Sequence, residues 1–252
     1  STLLASSAAS DVYKRQIKYV YKENGGMHTA HNTAYENIDT ELNVCVDSDD
    51  YMPDNAVQLI IDCWNKNKNK GYAGIIALDF ADSTKKVIGK ELPTDKESTT
   101  LMGYYNNGGF GDKKLIYSTD IIKQTPPYPV FDNEKYVALA YKYHLIDEKY
   151  ELKILNECVC IVDYQMDGSS TNMYRQYVRN PKGFAFWRKE QMKHSINTKQ
   201  KIKACIHYVS SSLIAKNKHF IKESPEKFLT VLSVPLGFLL KTVSYTHLTL
   251  PT

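Results

Sequence analysis

The chain has no run of about 18 consecutive apolar residues, so no segment reads as a membrane-spanning helix. Cysteine is scarce and unpatterned. Cys45, Cys63, Cys158, Cys160 and Cys205 form no C-x-x-C pair and leave an odd count. That argues against a disulfide framework and for reduced thiols of a cytoplasmic protein, most of them core fillers. Neither sign of charge dominates. The 32 Lys and Arg against 28 Asp and Glu leave a net +4, too mild to argue for a nucleic-acid partner. No internal repeat is visible. What remains is an ordinary globular balance: 252 residues, 42% hydrophobic and 24% charged, enough for one domain or one domain with an appendage. Tyrosine is abundant at 19, and a tyrosine-rich core is the simplest reading of it.

The two ends look foreign to the rest. Residues 1–16 are small and polar before joining a strand-like run, and residues 242–252 close with neither periodicity nor a stop signal. Both resemble read-through of adapter sequence and are set aside from the fold. The native start is then expected to be missing.

Between them, Ile17 to Lys22 reads as a short strand, Glu23-Asn24-Gly25-Gly26 as a turn, and residues 27–39 as a helix with Ala30 and Ala34 on a small face. Leu42 to Val46 is a buried strand. Pro53 and Asp54 start a helix with apolar Val57, Leu59, Ile60, Ile61 and Trp64. Ala73 to Phe80 is another buried strand. Strand, helix, strand, helix, strand indicates an α/β layer with a mainly parallel sheet. Residues 81–108 are irregular, Leu115 to Ser118 is a short strand, and a helix lies near Thr119 to Gln124. Glu134 to Asp147 reads as a helix, and Tyr150 to Tyr164 as one or two strands. Past Asn180 the chain turns helical and basic. The expected division is a domain over 17–180 and a helical extension over 181–241.

The densest chemistry lies in Val44-Cys45-Val46-Asp47-Ser48-Asp49-Asp50. An apolar run ends in three carboxylates within four residues. Like charges so close repel, and a divalent cation shared with a diphosphate would relieve them, because hard cations prefer carboxylate oxygens. The alternative is a capped helix or a solvated turn.

Three blocks extend this reading: Lys22 through Asn32 around Gly25-Gly26; Asn43 through Asp54 around Asp47-Ser48-Asp49; and Gly111-Asp112-Lys113 through Phe131-x-x-Glu134-Lys135-Tyr136 to Tyr164-x-x-Asp167-Gly168-Ser169. In this order they resemble a bacterial family-2 glycosyltransferase, the inverting type with the GT-A fold, over residues 17–190. The resemblance implies an α/β, Rossmann-like sheet flanked by helices. It implies a nucleotide-diphosphate sugar as donor, Mg²⁺ or Mn²⁺ as cofactor, and a glycan or lipid-linked acceptor, in surface polysaccharide synthesis.

Carried onto these positions, Asp49 is the first metal ligand. Asp47 lies at the metal, ribose or sugar, and Asp50 is a second ligand or a helix cap. Lys22, Asn24, Gly25, Gly26 and His28 are placed at the donor. Glu134 is the expected general base, with Asp132 as runner-up. Leu139 stands where relatives often carry a further carboxylate. Asp112, Lys113 and Asp167 are expected on loops near the acceptor. The family's first strand and base-contacting residues should precede Ile17, so weak donor binding is expected of the chain as written. The basic extension and the apolar stretch Phe228 to Leu240 suggest peripheral contact with an anionic membrane. A silent binding domain on the same scaffold, and a nucleotidyltransferase with a similar metal site, are the competing readings.

Overall fold

The computed structural model describes residues 17–163, 173–195 and 197–249. In chain order the helices are α1 (Met27–Asn37), α2 (Ala56–Asn67), α3 (Leu101–Asn106), α4 (Thr119–Gln124), α5 (Ala140–Asp147), α6 (Met173–Arg179), α7 (Pro181–Lys193), α8 (Thr198–Ile214), α9 (Phe220–Glu223), α10 (Lys227–Leu232) and α11 (Val234–Thr249). The strands are β1 (Leu42–Val44), β2 (Gly74–Ala81), β3 (Lys86–Val87), β4 (Ser98–Thr99), β5 (Lys113–Ser118) and β6 (Leu152–Val162).

The strands form one sheet in the order β1-β5-β2-β6-β4, with β3 paired to the end of β2. The sheet is mixed rather than mainly parallel. β1, β2 and β6 share a direction, as the strand–helix–strand pattern requires, but β5 runs antiparallel between β1 and β2, and only β2 and β6 pair in parallel. Nothing local in β5 announces that insertion.

β2 carries the core because it is covered on both faces. Ile75 and Ala77 turn to one side, where Ala56, Ile60 and Trp64 of α2 meet them along with Ile116 and Val159. Ile76 and Leu78 turn to the other, against Leu101, Tyr104, Tyr117, Ile122 and Ile146. The alternation is the period of two of an extended chain. In α2 the buried stripe is Ala56, Ile60 and Trp64, while Val57 and Ile61 are exposed. The helix also starts at Ala56, with Asn55 at its cap position, rather than at Pro53 and Asp54.

Two expected elements take another form. Ile17 to Lys22 is not a strand; it has no ladder partner, and Ile17, Tyr19 and Tyr21 are exposed. Residues 134–139 form an irregular loop, and the helix begins only at Ala140. This loop is wedged between the start of α1 and the start of α7. A Cβ on Gly26 would lie 2.0 Å from the Lys135 carbonyl oxygen, and one on Gly183 would lie 1.9 Å from that of Tyr136. Only glycine permits the backbones to approach so closely. Beyond the loop, α7 and α11 pack on α8, and Met192 of α7 meets Ala204, Cys205 and Tyr208 of α8.

The described tyrosines divide between core and surface, with Tyr19, Tyr21, Tyr51 and Tyr105 exposed. Tyr104, Tyr117, Tyr128 and Tyr208 are buried. The Tyr128 hydroxyl donates to the Leu139 carbonyl at 3.0 Å, and the Tyr117 and Tyr143 rings stack at 5.4 Å. Lys142 is threaded into this cluster. Its ammonium donates to the carbonyls of Thr125 at 2.8 Å and Pro126 at 3.2 Å, over the Tyr35 and Tyr128 rings. All five cysteines are free thiols.

Candidate functional site

The acidic motif leaves the end of β1 as a tight turn, closed by the Asp50 amide donating to the Asp47 carbonyl at 3.0 Å. Tyr51 then pairs with Ile161 in both directions, pinning the exit of the turn to β6. The motif thus sits at the carboxyl end of the strands that share a direction, where α/β sheets collect ligands.

The three carboxylates separate in role. Asp47 and Asp49 are exposed and form no ion pair among the described residues. Asp50 turns inward. Its side chain is nearly buried, 3.9 Å from the Lys114 ammonium, and it accepts a hydrogen bond from the Asp163 amide at 3.3 Å. Lys114 also lies 3.8 Å from Asp79. The cluster follows from alternation: Asp79 continues the face of Ile75 and Ala77, and Lys114 precedes Ile116 on the same face. Burial pushes the Asp79 carboxyl up to about 6, against the pull of Lys114. Burial also raises Asp50. Asp50, expected as a second metal ligand or a helix cap, anchors the turn from beneath, because an inward carboxylate needs the cation that Lys114 supplies.

Asp47 borders a cavity of about 390 Å³ between α1 and the β1 edge. Ala30, His31, Ala34 and Tyr35 form its helical wall, and Val44, Cys45, Tyr117 and Tyr143 the opposite one. The small face of α1 is what makes room. His31 donates to or accepts from the Tyr35 hydroxyl at 3.0 Å. Its pKa is lowered by burial, with Asp47 pulling the other way. His31 thus shares this cavity with Asp47.

At the head of α1, Asn24 accepts from the Gly26 amide at 3.1 Å, a local turn bond. Lys22 is exposed, with its ammonium donating to the Glu23 carbonyl at 3.1 Å, and it overhangs Gly25. Both remain beside the helix start, a place that favours anions. Asn32 exchanges hydrogen bonds with the backbone of Tyr128, a structural role.

His28 differs from the expectation. It is 1% exposed, and neither ring nitrogen has a hydrogen-bond partner. Burial and the nearby Lys22 lower its pKa. It borders a second cavity, of about 620 Å³, with Tyr136, Leu139, Gln176 and Trp187. The start of α1 thus lies between two cavities, and His28 borders the one away from the acidic turn.

Glu134, the expected base, meets backbone partners in the structure. Glu134 is buried, and its two oxygens accept the backbone amides of Lys182 at 2.9 Å and Gly183 at 2.8 Å. It caps α7, satisfying amides that a helix start leaves without partners. No pattern near Glu134 reveals this, because the capped helix begins 47 positions later in the chain. Asp132 in the same loop is exposed.

Lys113 is also structural. It is buried, with its ammonium donating to the carbonyls of Ile88 at 2.8 Å and Asp112 at 2.9 Å, over the Tyr104 ring. The glycine-rich loop before it is therefore fastened rather than loose: Lys90 donates to the Phe110 carbonyl at 3.0 Å. Asp112 is exposed at the head of β5. Asp167 lies outside the described residues.

Among the described residues no group of three or more His, Cys, Asp or Glu is arranged to hold a metal ion by itself. Two exposed carboxylates still match the way Mg²⁺ is often bound, through one or two carboxylates with substrate phosphates completing the shell.

The family description "Glycosyl transferase family 2" matches residues 3–125. The match begins within the segment read as foreign and ends before the loop that carries Glu134. No curated protein matches the chain. Among solved structures, TarS 1-349 from S. aureus, crystallised in complex with UDP-GlcNAc, is 11% identical, with a TM-score of 0.45 over 93% of this chain and 77% of that one.

Proposed function

We propose that this chain, which matches the glycosyl transferase family 2 description over residues 3–125, transfers a sugar from a nucleotide-diphosphate donor to a glycan or lipid-linked acceptor, with inversion. The observation that carries the reading is the division of labour in the acidic turn. Asp50 is tied down by Lys114 and the Asp163 amide, and this holds Asp47 and Asp49 outward at the rim of the sheet.

Asp49 and Asp47 would hold Mg²⁺ or Mn²⁺, which supplies counter-charge to a departing diphosphate. Lys22 and the first turn of α1 add positive potential for the same phosphates. In the transfer, the acceptor oxygen bonds to the anomeric carbon as the bond to the diphosphate breaks, and the acceptor proton passes to a base. With Glu134 engaged in capping, Asp132 is the carboxylate in that loop left for the proton.

The test is donor hydrolysis and transfer in the presence of Mn²⁺, on this chain and on a version extended at its start. Asp49→Asn should reduce turnover by about a hundredfold or more with unchanged unfolding. Asp50→Asn should lower stability instead. Wild-type turnover by Asp49→Asn would refute the assignment.

An acceptor on a membrane surface is supported by α10 and α11. Phe228, Leu232, Leu236, Phe238 and Leu239 are all more than half exposed, alongside Lys227 and Lys241. No described helix is long and apolar enough to cross a membrane. Co-sedimentation with anionic vesicles should fall in a Phe228→Ser, Phe238→Ser double variant, and unchanged sedimentation would remove this part of the proposal.

A further inference from the structure

A third cavity, of about 220 Å³, lies where α3 and α5 meet α7 and α8. Its wall includes Arg188, Lys203, His144, His194, Gln191 and Gln200, and no carboxylate lines it. Arg188 is half-buried. Its guanidinium donates to the Gln191 side chain at 2.5 Å and bonds the Tyr177 side chain, both uncharged. It makes no ion pair among the described residues, and its Nε is buried with no partner. His144 is 6% exposed, and its Nδ1 is also buried without a partner.

A guanidinium partly withdrawn from water, with its Nε buried, is normally matched by a carboxylate, because its desolvation is otherwise uncompensated. The nearby carboxylates are used elsewhere. Glu148 lies 3.1 Å from His194, and Glu190 lies 2.8 Å from Lys193 and 3.9 Å from His194. The surrounding field is positive: Arg188 and Lys203 add to burial in lowering the His207 pKa to about 4.

We propose that this cavity binds a phosphate group, free or as a small monoester, with Arg188 and Lys203 as its cationic donors and the His144 imidazole as a neutral partner. The site is separate from the acidic turn and shares none of its residues. The volume lies below the roughly 300–1,000 Å³ of sites for drug-sized ligands, which fits a phosphate and not a nucleotide. Arg188 can offer two parallel N–H groups to such an oxyanion, which a single lysine cannot.

The test is calorimetric titration of the intact chain with inorganic phosphate and, separately, with glycerol phosphate. EDTA is included so that the acidic turn holds no metal–phosphate complex. Saturable binding of either probe in the millimolar range is expected, weakening with added salt. Arg188→Met should reduce affinity by about tenfold or more, and Arg188→Lys by less. Lys203 is exposed, so Lys203→Gln tests the site without risk to folding and should reduce affinity about two- to fivefold. Asp49→Asn should leave it unchanged. Absence of saturable binding by both probes, or wild-type affinity in Lys203→Gln, would overturn the proposal.

Discussion

Replacing Glu134 separates two roles that a carboxylate at this place in the chain could have. Its oxygens take the Lys182 and Gly183 amides at 2.9 and 2.8 Å. A hydrogen bond to a charged group contributes about 1.5–3 kcal/mol, and a partly buried anion at a helix start adds up to about 2 kcal/mol. Glu134→Ala removes both bonds and leaves two amides without acceptors, for a loss of about 3–5 kcal/mol. Glu134→Gln keeps one acceptor oxygen and turns an amide group toward the other backbone N–H, for a loss of about 2 kcal/mol. In a chain of this size that lowers Tm by about 4–8 °C. Trp187 sits in the capped helix, buried against His144, so its fluorescence in a Trp64→Phe background reports the loss directly. If the carboxylate serves only to cap the helix, turnover per folded molecule should change less than about threefold. An unchanged midpoint in Glu134→Gln, together with turnover reduced about a hundredfold or more, would restore Glu134 as the base.

Two further outcomes follow from buried groups and crowded glycines. Lys142 is 2% exposed, and desolvation lowers its pKa from 10.5 to about 8, equivalent to about 3 kcal/mol at 1.36 kcal/mol per pH unit. Below pH 8 both folded and unfolded chains hold the proton, and the full cost of the buried charge is present. From about pH 8 to 10 the unfolded chain binds more protons, so stability should rise with pH. Above that, the raised phenols of Tyr35, Tyr117 and Tyr128 reverse the slope. Urea midpoints across this range should show the rise in the wild type and a flattened one in Lys142→Met; a steady fall from pH 8 would contradict the burial. Gly26 and Gly71 both have positive φ, but only Gly26 faces backbone at 2.0 Å. Gly26→Ala should cost about 3 kcal/mol or more, and Gly71→Ala about 1 kcal/mol; equal losses by thermal denaturation would show that the Lys135 contact does not constrain Gly26.

Local pattern alone determined much of this protein. The run of apolar residues in 73–80 could only be a strand covered on both faces, the small face at Ala30 and Ala34 left space beside α1, and an acidic triplet after β1 had to emerge at a strand end. Periodicity and turn chemistry act between neighbours, so a reader of the chain recovers them. Tertiary structure decided what those residues are for. Asp47, Asp49 and Asp50 are chemically alike in sequence, and only Lys114, brought alongside by the antiparallel β5, distinguishes the anchor from the two exposed carboxylates. Glu134 looked like a base until the start of α7 folded onto it. His28 and Arg188 gained their significance from partners they lack, which depends on packing between distant segments. Electrostatic role is set by what surrounds a group in three dimensions, and a sequence lists only what precedes and follows it.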